Sequence, residues 1–534
     1  MEASWAPAYP RSLAGWLPFL WSRVLFPGTS ADAPTAVRNW SLLALIVLPG
    51  VLIYPSLSYR LLEPDEGRYA EIPREMLARA EWVVPHLNSE PYLDKPPLLY
   101  WCVMLSYRAL GVHDWSARLV PALAVHGCIL LVYLLGRRIL GERAAFWGAL
   151  LLSLAPGFTS MGRLLVLDGL LAFWVTASVF FAFEAVRGGR LRWGWWLAAG
   201  LCCGLGVLTK GPIALVLLAP PIWLRGKLSG QRGVVRWRAW LALAAVALCV
   251  ALPWYVAVCV RMPGFVKYFL WEHNVVRFVS GFDHLQPVWY YAPILLAGLL
   301  PGSLLLPALA RFFFKGADES HPTAPPELGF TLLAGGWCIF FFTLSGCKLP
   351  TYILPAYPAL CLALGWFLAS NSWRNSWWVR STGGLAFLTL MIGHHLALPW
   401  YASYRSPMRQ SDVVARYCGD PSEVVVCHPR PCDSVAFYLG RDDLHDFRSK
   451  EMHLLIPSLL ERRRTVLLFT HRHSLKGFKD SLPPNLRVVD EVHCGLPAPP
   501  GVPERWTKHA QDGMGQTALG LCDIAVVVRT DWPQ

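Results

Sequence analysis

Glu63-Pro64-Asp65-Glu66-Gly67-Arg68-Tyr69-Ala70-Glu71-Ile72 forms a dense polar stretch directly behind an apolar run, continued by Arg74-Glu75-Met76 and then Asp94-Lys95-Pro96-Pro97. It stands in a 534-residue chain that is 54% hydrophobic and only 16% charged. Soluble domains carry about 25% charged residues. Outward from the stretch, apolar runs near the ~20 residues that cross a bilayer recur along the chain. The expected fold is an α-helical polytopic membrane protein. Charge held against a bilayer is costly, so the stretch reads as functional.

The runs 40–57, 117–136, 144–161, 166–186, 193–208, 212–224, 240–260, 288–309, 328–344, 350–368 and 383–398 make about eleven candidate spans. The run 98–110 is apolar but short and reads as re-entrant or interfacial. Basic residues cluster between alternate spans: Arg137, Arg138 and Arg143; Arg187, Arg190 and Arg192; Arg225, Lys227, Arg232, Arg236 and Arg238; Arg311 and Lys315; Arg374 and Arg380. All five clusters fall on one side, which the positive-inside rule makes cytoplasmic. This distribution explains the net charge of +13 better than nucleic-acid binding does. The polar stretch, the loop 261–286 and the tail then share the opposite face.

Three regions are expected. Residues 1–38 are a cytoplasmic or interfacial segment, with the short Trp-rich run 13–26 lying on the membrane rather than forming a signal peptide. Residues 39–400 are the transmembrane catalytic domain, with 59–116 its first extracytoplasmic loop. Residues 401–534 read as a small soluble α/β domain, with strands at 424–427, 466–470, 486–489 and 524–528 and helices at 412–417 and 433–438. The proline-rich 496–503 reads as a loop. The 14 cysteines include no CxxC pair, and the five in the tail permit one or two disulfides.

Residues 66–79 permit an amphipathic helix on the membrane surface, with Pro73 in its first turn or bending it. The plain alternative is a solvated helix with local pairs such as Glu71 with Arg74. Other polar points on the same side argue for a site. Asp168 stands at the mouth of its span, where a helix cap is the alternative. Lys210 and Lys348 violate the positive-inside bias, so each needs an anion or a carboxylate unless it snorkels. The loop 261–286 adds Glu272-His273-Asn274, Arg277 and Asp283-His284; with Asp94 these could ligate a divalent cation, although no spacing is diagnostic. Fixed cations such as Arg68, Lys95 and Arg277 suit a lipid phosphate as leaving group. A carboxylate such as Asp65 suits proton removal from an acceptor hydroxyl attacking a sugar carbon, a displacement that inverts the anomeric centre.

Asp65 to Ile72 with Arg74-Glu75-Met76, Asp94-Lys95-Pro96-Pro97 and Tyr100-Trp101 resembles the first periplasmic loop of GT-C glycosyltransferases. The nearest resemblance is to bacterial aminoarabinose transferases acting on lipid A and to the wider protein mannosyltransferase-like family. Asp168-Gly169, Leu208-Thr209-Lys210-Gly211-Pro212, Glu272-His273-Asn274 with Arg277-Phe278, and Ser345 to Tyr352 follow in matching order. The resemblance implies a GT-C fold of about 11–13 transmembrane helices. It also implies an undecaprenyl-phosphate sugar donor, a lipid or protein envelope acceptor, and periplasmic chemistry at a bacterial inner membrane. By position it makes Asp65 the catalytic carboxylate and Asp168 a second acidic position in the cavity. It places Arg68, Tyr69, Lys95, Arg277, Lys348 and Tyr352 around the donor phosphate. Asp94 and His284 match positions that can bind zinc. The alternatives are a protein mannosyltransferase and, from a different class, a flippase for lipid-linked sugars.

Overall fold

The computed structural model describes residues 35–230, 233–279, 284–315, 324–371, 376–470, 474–493 and 523–532. The expected interfacial run 13–26 and the loop 496–503 lie outside the described residues. The chain is a multi-pass membrane protein. Besides α2 (Asp65–Ala78) in the polar stretch and α3 (Leu98–Leu110) in the short run 98–110, its helices follow the expected spans: α1 (Thr35–Ile53), α4 (Asp114–Ile139), α5 (Glu142–Leu154), α6 (Leu167–Val186), α7 (Trp193–Lys210), α8 (Ile213–Leu228), α9 (Trp237–Arg261), α10 (Pro326–Leu344) and α11 (Tyr357–Ser370). A final helical run, Trp377–Arg405, extends five residues past the expected boundary at 400.

Among the described residues six helical runs are long and apolar enough to cross a membrane alone, and up to eight if each bent pair is one span. Two of the expected spans are bent pairs. The run 144–161 breaks by 67° between Glu142–Leu154 and Pro156–Gly162, and 288–309 breaks by 104° between Val288–Gly298 and Gly302–Phe313. Proline stands at each break, Pro156 and Pro301, where the missing N–H and ring clash interrupt the helical ladder.

Burial sorts the helices. The window of α6 is 83% buried, whereas those of α9 and Trp377–Arg405 are 28% and 17% buried. Apolar side chains such as Leu241, Leu248 and Leu385 on the outer helices are exposed, as expected of surfaces facing acyl chains rather than water. At the centre, α5 and α11 cross so closely that a Cβ on Gly365 would overlap the Gly148 backbone. That is small-residue packing, which membrane helices use to gain dispersion contact.

The C-terminal domain carries the expected strands β3 (Val425–His428), β5 (Arg464–Phe469), β6 (Leu486–His493) and β7 (Asp523–Arg529), after a hairpin β1 (His86–Leu87) and β2 (Glu90–Pro91) in the first loop. A short edge strand, β4 (His445–Asp446), completes a five-stranded sheet of order β4-β3-β5-β7-β6. The β3–β4 and β3–β5 pairs are parallel, and β5–β7 and β6–β7 antiparallel. A two-residue strand with polar side chains leaves no periodic signal, so β4 is not readable locally. Of the tail cysteines, Cys418, Cys427 and Cys432 are buried in the packing of this domain. Cys494 and Cys522 lie outside the described residues.

Candidate functional site

The polar stretch becomes α2, but not a surface helix. Glu66, Gly67, Tyr69, Ala70, Glu71, Ile72, Pro73, Glu75 and Met76 are all buried, and Pro73 falls mid-helix rather than in its first turn. The charges that suggested a wet face are satisfied internally. Glu71 takes two hydrogen bonds from Arg74, at 2.7 and 2.5 Å, the local pair named above. Glu75 accepts from the backbone N–H groups of Asn88 and Ser89 in the β1–β2 turn.

The adjacent carboxylates Asp65 and Glu66 separate completely. Glu66 is 2% exposed and receives both arms of the fully buried Arg118 guanidinium at 2.8 Å. It also accepts from the N–H groups of Leu62 and Leu165. Arg118 spends its remaining donors on the carbonyls of Leu57, Tyr59 and Arg60. This is a fork-to-fork pair with its spare lone pairs filled. Glu66 therefore anchors the helix to α4 and is closed to chemistry. The Asp65 side chain is 59% exposed, with Arg68 Nη1 at 3.9 Å.

A polar chain leads inward from Asp65. Arg68 Nη1 donates to the Tyr92 hydroxyl at 3.4 Å, and Tyr92 hydrogen-bonds Asp94. Asp94 accepts from the Tyr268 hydroxyl at 2.5 Å and has His273 Nε2 at 3.7 Å. Burial works to raise the Asp94 pKa, but the Tyr268 hydroxyl, His273 and Lys95 together hold it below its ordinary value.

Asp94 lies on the wall of a cavity of about 260 Å³ that also presents Lys95, Lys210, Arg277, Asn274 and Tyr352. Phe269, Phe278, Phe341, Phe342, Ile213 and Val216 form its apolar side. Lys210 donates to Asp168 at 2.5 Å and sits 4.6 Å above the centroid of the Tyr352 ring. Burial, joined by repulsion from Lys210 and Arg277 and opposed by Asp94, pushes the Lys95 ammonium down to about 8. Three cations thus converge against Asp94, and against Asp168 behind Lys210. Such a site has a positive excess beside an oily wall.

Several expected roles move. Asp168 is committed to Lys210, so it holds that ammonium in place rather than standing as a second free base. Lys348 is 4% exposed and donates to the carbonyls of Ser345 and Gln286, so it braces the Ser345–Pro350 turn instead of facing the cavity. Tyr69 is buried within the α2–α3 core beside Tyr100 rather than on the cavity wall. Arg68 lies on the route to the cavity, while Lys95, Arg277 and Tyr352 line it. For zinc, the structure sets His273 Nε2 3.7 Å from Asp94. Among the described residues no three His, Cys, Asp or Glu side chains gather, and Asp283 is outside them.

Three contributors, Tyr268, Tyr92 and Asp433, carried no local signal. Asp433, at the start of α12 (Asp433–Leu439), reaches from the C-terminal domain to within 3.8 Å of Arg68 Nε. Beside it the backbone N–H of Ser434 donates to the buried Glu63 carboxylate. A Cβ on Gly67 would meet the Ser434 nitrogen at 2.6 Å, so only glycine admits this approach. Burial, then the charge of Asp433, pushes Glu63 up to about 8; burial, opposed by Arg68, pushes Asp433 up to about 6. Both acids have a folded pKa raised above the unfolded value, so their contribution to docking is present at low pH and lost as pH rises through about 6 and about 8. Hydrogen exchange of the α12 amides is expected to speed up from pH 5.5 to about 9 after correction for intrinsic rates. An unchanged corrected rate would contradict the buried-acid contact.

Comparison with known proteins now bears on this arrangement. The profile of the dolichyl-phosphate-mannose-protein mannosyltransferase family matches residues 40–269. The crystal structure of ArnT from Cupriavidus metallidurans bound to undecaprenyl phosphate shares the fold, with a TM-score of 0.72 over 94% of this chain and 100% of that one at 20% identity. The undecaprenyl phosphate-alpha-4-amino-4-deoxy-L-arabinose arabinosyl transferase 1 of Pseudomonas fluorescens (strain Pf0-1) is 35% identical over 64% of this chain and 59% of its own length. The chain spans about three fifths of the length of such relatives, 59% to 62% for three of them. The corresponding transferase of Pseudomonas paraeruginosa (strain DSM 24068 / PA7) is 34% identical over 70% of this chain and 67% of its own length. Similarity sustained over that much of both chains, on a shared fold, shows that the protein belongs to the undecaprenyl phosphate-alpha-4-amino-4-deoxy-L-arabinose arabinosyl transferase family.

Proposed function

We propose that the chain is an inverting glycosyltransferase that moves a sugar from an undecaprenyl-phosphate donor to an envelope acceptor such as lipid A. The observation that carries this reading is the cavity in which Lys95, Lys210 and Arg277 face a wall of phenylalanines. The three side chains are half-buried and outnumber the carboxylates Asp94 and Asp168 beside them, an excess of positive charge that suits an anion, and a phosphate on a polyprenyl chain fills both halves of the cavity. The relatives' names supply the donor and sugar, 4-amino-4-deoxy-L-arabinose. The working face is the periplasmic side of a bacterial inner membrane, with the C-terminal domain on that side.

In the reaction the acceptor oxygen attacks the anomeric carbon and Asp65 takes its proton. The bond from that carbon to the phosphate oxygen breaks, and the electron pair leaves with undecaprenyl phosphate. Lys95, Lys210 and Arg277 stabilise the added negative charge where it develops, with Asp168 keeping Lys210 in place. The chain Asp65, Arg68, Tyr92, Asp94 ties the base to the phosphate cavity.

The test is transfer by purified protein in liposomes containing the undecaprenyl-phosphate-linked sugar and lipid A, with the anomeric configuration of the product read by NMR. Transfer with inversion is expected; retention, or passage of the donor across the bilayer without transfer, would overturn the reading. A flippase would carry its charges near the midplane of broken helices, whereas these gather with the first loop.

Donor binding is also expected to depend on pH. The Lys95 ammonium titrates at about 8, so it is charged below that pH and neutral above it. Affinity for undecaprenyl phosphate should be retained at pH 7 and fall about tenfold by about pH 9, where only about a tenth of the side chains keep the charge that makes the hydrogen bond strong. In Lys95→Arg the fall should disappear, because guanidinium keeps its proton. Equal pH dependence in both proteins would remove Lys95 from the phosphate site.

A further inference from the structure

A second recess, of about 470 Å³, opens between the start of α2 and the C-terminal domain. Pro64 and Arg68 form one wall; Arg430, from the turn after β3, and Arg448 and Lys450, from the turn after β4, form the other. Prolines flank Arg430 on both sides and fix that turn. Four of the lining side chains are cationic and none is acidic. The recess shares no lining residue with the donor cavity.

The nearby carboxylates are engaged behind it. Asp433 is buried under Arg68, Glu451 accepts the Arg448 backbone N–H at 2.9 Å, and Asp446 feels the charges of Arg448 and Arg68 together. Cations brought to one recess from three separate segments raise the local positive potential and favour an anion there. Guanidinium groups suit phosphate because their planar forks can donate two bonds at once. Arg68 is also the group 3.9 Å from Asp65, so an anion in the recess would lie beside the base.

We propose that this recess is an acceptor subsite that holds a phosphate group of a phosphorylated glycolipid head group. The word acceptor rests on the transferase reading above; the phosphate site does not. A bound head group would place its reacting oxygen toward Asp65, with Arg68 shared between the recess and the base.

The test compares the full-length protein with its R430Q/R448Q/K450Q variant, which leaves Arg68 and the donor cavity untouched. Binding of a fluorescent phosphorylated glycolipid, its dephosphorylated counterpart, undecaprenyl phosphate and inorganic phosphate is measured in detergent. The wild type is expected to prefer the phosphorylated glycolipid by about tenfold and the variant to lose that preference, the scale of one or two charge-assisted hydrogen bonds. Undecaprenyl phosphate binding and the thermal midpoint should be equal in the two proteins, which shows that the variant is folded. Equal glycolipid binding in wild type and variant overturns the subsite. So does binding of inorganic phosphate without any phosphate-dependent glycolipid binding, which would mark a free-anion site. Phosphate-dependent glycolipid binding without sugar transfer supports the subsite and counts against the transferase reading alone.

Discussion

Asp65→Asn is expected to lower the rate of sugar transfer by ~10²–10⁴-fold, the usual worth of a positioned general base. The side chain is 59% exposed and the Arg68 guanidinium stands 3.9 Å away. The neutral isostere therefore removes little that holds the fold together. The lost charge in the first turn of α2 costs only about 0.3–1 kcal/mol through the helix dipole. Binding of undecaprenyl phosphate, governed by Lys95, Lys210 and Arg277, should be nearly unchanged, so the effect falls on turnover. Release of labelled undecaprenyl phosphate and a separate equilibrium binding measurement check the two halves. Wild-type turnover in Asp65→Asn would end the catalytic assignment.

The second large effect belongs to the neighbouring carboxylate and is structural. Arg118→Met leaves Glu66 buried with only the Leu62 and Leu165 N–H groups and strips the carbonyls of Leu57, Tyr59 and Arg60 of their donor. Breaking a buried pair by removing one partner costs about 3–5 kcal/mol. The variant is expected to lose most of its folded yield and to unfold at a clearly lower temperature in detergent. Replacing both charges, as in Glu66→Leu with Arg118→Met, should recover only part of the loss, because the three carbonyls stay unpaired. Full recovery would mean that the carbonyl contacts contribute nothing. Asp65 and Glu66 are thus adjacent in sequence and opposite in use: one variant should keep its fold and lose turnover, the other should lose its fold.

Much of the architecture was legible. The apolar runs became helices or helix pairs, since hydropathy summed over ~20 residues is a local quantity that tertiary context rarely reverses. The strands at 424–427, 466–470, 486–489 and 524–528 were legible from short β-branched apolar runs bounded by polar residues, with Val425, Val466, Leu486 and Ile524 all buried in the sheet's packing. The breaks at Pro156 and Pro301 were not, because prolines such as Pro220, Pro253 and Pro121 are carried inside helices elsewhere in the same chain. Whether a proline bends or breaks a helix depends on what re-satisfies the freed carbonyls.

The site divides in the same way. Lys210 and Lys348 were both marked as cations on the wrong side of the membrane. Only the packing decided that Lys210 takes the Asp168 carboxylate while Lys348 takes the Ser345 and Gln286 carbonyls. Likewise, Asp94 was read with both His273 and His284, and the helical turn Val266–Val276 brings His273 to it.

By itself the sequence determined that this chain is a polytopic helical membrane protein with a small α/β tail and a charged first loop. Tertiary structure decided which charge serves which purpose: Glu66 and Lys348 hold the fold, Asp168 steadies Lys210, and Asp65 is left exposed. The physical reason is range. Helix and strand signals act between near neighbours, whereas Lys210–Asp168, Arg118–Glu66 and Ser434–Glu63 join residues 42, 52 and 371 positions apart. A buried charge takes whichever partner the fold brings to it, because leaving it unpaired costs more than any local preference.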